Sequence, residues 1–190
     1  GDWSSDVALP ISLIGPWNYP LLQISWKVAP ALLAGCTFII KPSEFTPSSA
    51  CLLMKILAEA GVPHGVANLI LGSGAAVGNP LTTDPRVDLV SFTGGLTTGK
   101  RIMANASETV KRVALELGGK NPHIIFADAD LDAAIDNAVT AGFLHSGQVC
   151  SAGTRLLVEK SIHDHVVSEI VRRSKLIVLG GPDRKSTRLN

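Results

Sequence analysis

Apolar residues recur along this chain in two rhythms. Short β-branched and apolar runs predict strands over 37–41, 67–71, 87–92, 110–116, 123–126 and 154–158. Between them, apolar positions at helical spacing predict helices over 47–59, 97–107, 130–144 and 162–176, with a short one over 75–82. Gly61 and Pro63 end the first of these, and Asp128 or Asp130 is placed to cap the start of the helix over 130–144. Strands alternating with helices at this spacing predict parallel βαβ units, hence an α/β fold with an open, doubly wound, mostly parallel sheet. The most apolar stretch, 28–40, contains Pro30, Gly35, Cys36 and Thr37. It is too short to span a bilayer and is read as buried core. The ends, 1–6 and 181–190, are polar and aperiodic, and 181–190 is read as an unstructured or non-native tail.

Composition narrows the class. Of 190 residues, 46% are hydrophobic and 17% charged, which supports a sizeable core and argues against disorder. The formal net charge is +1, with no long basic run and no basic–aromatic interleaving, so nucleic acid is excluded as a partner. Three cysteines without a close pair form neither a disulfide framework nor a zinc pattern, and the five histidines show no metal-ligand grouping. Free thiols fit a reducing compartment, and the chain opens without a signal-type segment, so a cytoplasmic protein without a membrane partner is expected.

Open α/β sheets bind nucleotides at the carboxyl ends of their strands, and three predicted strand ends carry suitable chemistry. The first is Lys41-Pro42-Ser43-Glu44, where a cation and a carboxylate leave the strand together and are suited to gripping ribose hydroxyls. From these four residues alone a solvated loop with a surface ion pair is the favoured reading. The second is Gly72-Ser73-Gly74 with Gly78 four residues on, a loosely spaced dinucleotide fingerprint or a plain turn. The third is Phe92-Thr93-Gly94-Gly95 ahead of a helix, where backbone N–H groups and the helix dipole would face a pyrophosphate. A tight strand–helix turn is the competing reading.

Among the thiols, Cys36 and Cys51 lie in apolar surroundings and read as packing residues. Cys150 lies in Ser146-Gly147-Gln148-Val149-Cys150-Ser151-Ala152-Gly153, a small polar loop that would give a thiolate access to solvent and to backbone donors. Glu116 stands between Leu115 and Leu117 at a strand end, where partial desolvation would raise its pKa and suit a general base; an edge-strand glutamate facing water is the alternative. Asn18, with Pro16 and Pro20 on either side, is held as a rigid amide donor of the kind an oxyanion hole needs, or is a turn asparagine.

Six segments taken in order resemble the aldehyde dehydrogenase superfamily: Pro16-Trp17-Asn18, Ala29-Pro30-Ala31-Leu32, Lys41-Pro42-Ser43-Glu44, Phe92-Thr93-Gly94, Glu116-Leu117-Gly118-Gly119-Lys120 and Gly147-Gln148-Val149-Cys150. The resemblance covers residues 14 to 180. It implies a Rossmann-like cofactor domain, here incomplete, over 1–146 and the start of a catalytic domain over 147–180. It implies NAD as cofactor, with NADP as a second candidate, a small-molecule aldehyde as substrate, and a full-length homo-oligomer. Cys150 would attack the aldehyde, the Asn18 amide and the Cys150 backbone N–H would hold the oxyanion, and Glu116 would activate the water that releases the acid from the thioester. Lys41 and Glu44 resemble the family's adenosine-ribose ligands. Gly74, Gly78, Phe92, Thr93, Gly94, Gly95, Leu117 and Gly118 complete the cofactor set. Many members carry serine where Gly95 stands.

Within that family the likeness is nearest to betaine aldehyde and other aminoaldehyde dehydrogenases, through Asn18-Tyr19-Pro20, Ser25-Trp26-Lys27, Ala34-Gly35-Cys36, Phe92-Thr93-Gly94-Gly95 and Gln148-Val149-Cys150-Ser151. Tyr19 and Trp26, seven apart, are read as two turns along one helix face, where aromatics would meet an ammonium group; ordinary core aromatics are the alternative. The resemblance also implies that much of a catalytic domain lies outside this chain. A truncated nucleotide-binding fragment without turnover is therefore carried as the second reading.

Overall fold

Ile11–Ile14 is bounded by Pro10 and by Gly15-Pro16, which confine it to four residues. This strand, β1, was absent from the elements predicted by periodicity, yet it stands at the centre of the sheet. In the computed structural model, which describes residues 9–180, it is followed by α1 (Pro20–Leu33), β2 (Phe38–Lys41), α2 (Ser48–Glu59) and β3 (Ala67–Leu69). A π-helical turn (Gly74–Gly78) then leads into α3 (Asn79–Thr83), β4 (Leu89–Gly94), α4 (Leu96–Ser107) and β5 (Arg112–Leu117). The expectations for 1–6 and 181–190 lie outside the described residues. The chain divides into two compact units, Gly1–Gly118 and Gly119–Asn190.

In the first unit the five strands are parallel, in the order β3-β2-β1-β4-β5. Alternation along β1 sends Leu13 to one face and Ile14 to the other. Leu13 packs with Ile24, Val28 and Ala31 of α1, Ala50 of α2, and Phe38 and Ile40 of β2. Ile14 packs with Val90 and Phe92 of β4 and Ile102 of α4, with Leu115 and Leu117 of β5 against them. The sheet is thus covered on both faces, as the doubly wound reading expects.

Helix α1 was not among the predicted helices, although the reading of Tyr19 and Trp26 assumed one. Pro20 opens it, where a missing N–H costs nothing. Gly35 closes it at φ +70°, with Cys36 N–H donating to Ala31 O at 3.0 Å and Gly35 N–H to Leu32 O at 3.1 Å. That pairing needs a left-handed residue, which glycine supplies without steric cost. The apolar stretch 28–40 is therefore a helix end, a turn and a strand. Its Val28, Ala31, Cys36, Phe38 and Ile40 are buried, while Leu33 is exposed.

The second unit is a βαβ element with a further helix: β6 (Pro122–Ile125), α5 (Leu131–Phe143), a 3₁₀ turn (Leu144–Gly147), β7 (Arg155–Val158) and α6 (His163–Ser174). β6 and β7 pair in parallel, and Ile125, Ile135 and Val166 form the core between strands and helices. Asp130, one of the two predicted caps, accepts from Ala133 N–H at 3.2 Å. None of the helices among the described residues is long and apolar enough to cross a membrane.

Arg173 on α6 ties the two helices together. It reaches Asp132 at 2.6 Å and Asp136 at 2.5 Å on α5, and Glu169 on its own helix at 3.4 Å. Hydrogen bonding to Arg172, then to Arg173, holds the Glu169 carboxyl down at about 2, below its ordinary 4.5. A depressed carboxyl contributes stability that is present above 4.5 and lost as pH falls toward 2. The urea midpoint of the second unit, followed by helical circular dichroism, should therefore drop between pH 5 and pH 3, and Glu169→Gln should flatten part of that slope. An unchanged slope in the variant would show that this cluster does not link pH to stability.

Candidate functional site

Parallel pairing brings the carboxyl ends of β1, β2 and β4 to one rim of the sheet. Ile14 lies beside Lys41 on one side and Phe92 on the other. The chain leaves all three strands there, and a cavity of about 390 Å³ opens between the strand ends, the Gly74–Gly78 turn and the start of α4. Of the residues singled out in the sequence, Asn18, Lys41, Glu44, Gly74, Gly78, Phe92, Thr93, Gly94 and Gly95 all line it. Leu117, Gly118 and Glu116 sit at the end of β5 and are not among its lining residues, nor are Tyr19 and Trp26.

Lys41 is the buried cation of this cavity. Its side chain is 5% exposed, and its Nζ donates to Pro42 O at 2.9 Å and to Glu44 Oε2 at 3.3 Å. The Glu44 side chain remains 45% exposed. Its own backbone N–H first, and then the Lys41 ammonium, hold the Glu44 carboxyl below its ordinary value, so it is ionised at neutral pH. The solvated ion pair considered from the sequence is thus half right: the carboxylate faces solvent and the lysine does not.

The β4–α4 junction supplies the opposite wall. Gly95 precedes α4 in an extended conformation, makes no side-chain cap, and has open space where a Cβ would stand. The first N–H groups of α4 are therefore left for other acceptors at the cavity. At Gly94 a Cβ would collide with the Phe92 ring, which fills that space from below. Thr93 Oγ1 is buried and has no hydrogen-bond partner among the described residues. A buried hydroxyl without a partner is uncommon, and here it belongs to a residue that lines the cavity.

Glu116 departs from expectation. It is exposed on β5, so the desolvation read from its leucine neighbours is absent. Those leucines point to the α4 face of the sheet, and alternation turns Glu116 to the other face, opposite Thr93. Lys27 of α1 lies on that same face. It is buried, and its Nζ donates to Ser91 Oγ at 3.1 Å. Burial pushes the Lys27 ammonium down, and the negative charge of Glu116 partly offsets this.

Tyr19 is the left-handed residue preceding α1 (φ 48°), not a member of it, so it and Trp26 are not two turns along one helix face. Trp26 is 64% exposed and so is not part of the core formed within this chain. Sequence reasoning gave Lys27 no role of its own, although it lies in the Ser25-Trp26-Lys27 segment, because a lysine on a helix carries no signal of its burial. It also missed Trp17, Arg101 and Asn105, which line the cavity. Asn105 of α4 reaches Thr82 of α3 at 2.9 Å and so fixes the back wall.

In the second unit, Cys150 is exposed, whereas Cys36 in the first unit is buried and Cys51 intermediate. Three consecutive left-handed residues lead toward Cys150: His145 (φ 51°), Ser146 (φ 58°) and Gly147 (φ 72°).

Residues 10–190 match the model of the aldehyde dehydrogenase family. The chain belongs to the aldehyde dehydrogenase family. The match runs wider at both ends than the 14–180 span read for the resemblance. The chain is 60% identical over 174 residues to a betaine aldehyde dehydrogenase of Bacillus subtilis, covering 90% of this chain and 36% of the relative. It is 51% identical to a 3-succinoylsemialdehyde-pyridine dehydrogenase of a Pseudomonas species, covering 93% of this chain and 37% of that one. A crystal structure of a Staphylococcus aureus betaine aldehyde dehydrogenase in complex with NAD+ superposes with a TM-score of 0.89 at 51% identity, over 94% of this chain and 36% of that one. This aldehyde dehydrogenase family chain thus spans about a third of the length of the relatives it matches.

Because the Phe92 ring occupies the space beside Gly94, Gly94→Ala must displace it from the α4 face of the sheet. We expect a loss of about 1–3 kcal/mol, as for other overpacked cores. A urea midpoint equal to that of the parent chain would contradict this packing.

Proposed function

We propose that this chain carries the cofactor cavity and the nucleophile of an NAD-dependent enzyme that oxidises an aldehyde to its acid, with betaine aldehyde or a related aminoaldehyde as substrate. The observation that carries the reading is the cavity. A buried lysine paired with an ionised glutamate, an uncapped helix start and an orphan threonine hydroxyl surround one space at the ends of parallel strands. These groups fit a dinucleotide. Lys41 and Glu44 would hold the adenosine ribose, the α4 start with Gly94 and Gly95 would face the pyrophosphate, and Thr93 Oγ1 offers a further polar contact. When bound, NAD accepts the hydride released from the aldehyde carbon. The NAD+ complex of the Staphylococcus aureus relative supports this choice.

The protein's own chemistry follows from the residues. The Cys150 thiolate adds to the aldehyde carbon, forming a C–S bond and sending the carbonyl electron pair to oxygen. The amide of Asn18 is the side-chain donor for that oxyanion. Loss of hydride leaves a Cys150 thioester. Glu116 then takes a proton from the water that cleaves it, releasing the acid and the thiol. The exposure of Glu116 suits a base that must meet water. The exposed Trp26, with Tyr19, would offer aromatic faces to the ammonium group of the substrate. Names among the relatives support this substrate class, since the Bacillus subtilis protein is a betaine aldehyde dehydrogenase.

Binding of nucleotide without turnover is what we expect of these 190 residues taken alone, because they span about a third of the length of the relatives. Trp17 lines the cavity and is 47% exposed, so its fluorescence should report occupancy. Titration of the 190-residue chain should show NAD binding with no sustained, aldehyde-dependent NADH formation. Sustained turnover that depends on Cys150 would show that these residues suffice. The ionised Glu44 should accept from a ribose 2′-hydroxyl and repel a 2′-phosphate, favouring NAD over NADP by about tenfold. Glu44→Gln should narrow the gap, and equal binding of the two cofactors by the parent chain would refute the assignment.

Iodoacetamide followed by peptide mapping tests the nucleophile. In the folded chain Cys150 should be labelled well before Cys51, and Cys36 last. A single rate for all three thiols in demonstrably folded protein is the result that rules Cys150 out.

A further inference from the structure

We propose that Asn121 is the positioning residue for the nucleophile, holding the backbone of the Cys150 loop through its side-chain amide; this rests on the reading of Cys150 as the attacking thiol. Asn121 immediately precedes β6 and is half-buried, and its own carbonyl accepts from Arg155 N–H at 3.1 Å at the start of β7. It is therefore fixed by the strand pair of the second unit. From that base its Nδ2 donates to Cys150 O at 2.6 Å and, more weakly, to Ala152 O at 3.3 Å. One amide group thus grips two carbonyls, the first being that of the nucleophile itself.

The loop needs such a grip. Cys150 is exposed, so burial does not hold its side chain. On the amino side the chain passes through the left-handed run at His145, Ser146 and Gly147, two of them non-glycine residues in a conformation that costs energy and persists only when the surroundings impose it. On the carboxyl side Ala152 is buried, and Gly153 lies so close to His123 that a Cβ would stand 3.1 Å from its ring nitrogen. The strained approach and the packed exit leave the Cys150–Ala152 segment between them, and Asn121 bonds at both ends of it. Without the amide, the Cys150 carbonyl loses its partner, the turn is closed only by Ala152 N–H donating to Val149 O at 3.1 Å, and the position of the thiol is less restricted. Because reacting groups must be held to within about an ångström, this bears directly on attack.

The test uses the full chain and three substitutions. Asn121→Asp keeps the shape and removes both donors, Asn121→Ala removes the group, and Asn121→Gln keeps an amide on a longer arm. Cys150 labelling by iodoacetamide is measured relative to Cys51 in the same molecules, while hydrogen exchange at the β6 and β7 amides reports whether the second unit remains folded. With those amides still protected, the Cys150:Cys51 ratio should fall about fivefold in Asn121→Asp and Asn121→Ala, the equivalent of one net hydrogen bond. Asn121→Gln should recover part of it. A ratio that stays constant or rises overturns the proposal, as does loss of β6–β7 protection in all three variants, which would make Asn121 a residue of the strand pair alone. Failure of the underlying reading looks different: Cys150 would then be no faster than Cys51 in the unsubstituted chain.

Discussion

The cavity depends on β1 being paired on both edges and buried on both faces. Ile11–Ile14 has β2 on one side and β4 on the other, all three running in the same direction, so the chain leaves every one of them at the same rim. Leu13 and Ile14 anchor the strand from opposite faces. The polar groups at the rim are held by strands whose own residues are apolar, and precision there comes from the core beneath. Truncating either side chain would loosen the register on which the convergence of Asn18, Lys41 and Thr93 depends.

Burial sorts the charges at this rim by role. Lys41 is inside the protein, while its partner Glu44, held below its ordinary value by its own backbone N–H and then by Lys41, is in contact with solvent. Lys27 is buried on the face of the sheet that Glu116 also faces, and its ammonium is disfavoured by that burial. In both pairs the cation is enclosed and the carboxylate is accessible. At the cavity itself the accessible Glu44 carboxylate stands over the enclosed Lys41, and the exposed Arg101 adds positive charge on the α4 wall.

Much of this was legible in the sequence, for identifiable reasons. Strands with four or more β-branched or apolar residues between clear turns, such as β2 and β4, announce themselves by composition. The strand ends then place Lys41, Glu44 and Thr93 without knowledge of the packing. β1 escaped because four residues between prolines show no period. Helix α1 escaped because Pro30 near its end reads as a break, although the helix tolerates it. The error over Glu116 has a different origin: flanking leucines say which face of a strand is buried, and the residue between them takes the opposite face. Asn121 could not have been found in this way, because its partners are backbone carbonyls some thirty positions along the chain, and backbone acceptors leave no mark on a sequence.

Gly95 bears on how such a site changes over evolutionary time. It sits at an ordinary negative φ with empty space where a side chain would grow, just ahead of the uncapped start of α4. Mutation there meets no steric barrier from the fold. Its neighbour Gly94, pressed against Phe92, has no such freedom. Both adjacent glycines line the cavity, but only at Gly95 can a side chain grow without pushing a neighbour aside. A side chain at Gly95 would therefore change the lining of the cavity while leaving the core beneath it undisturbed.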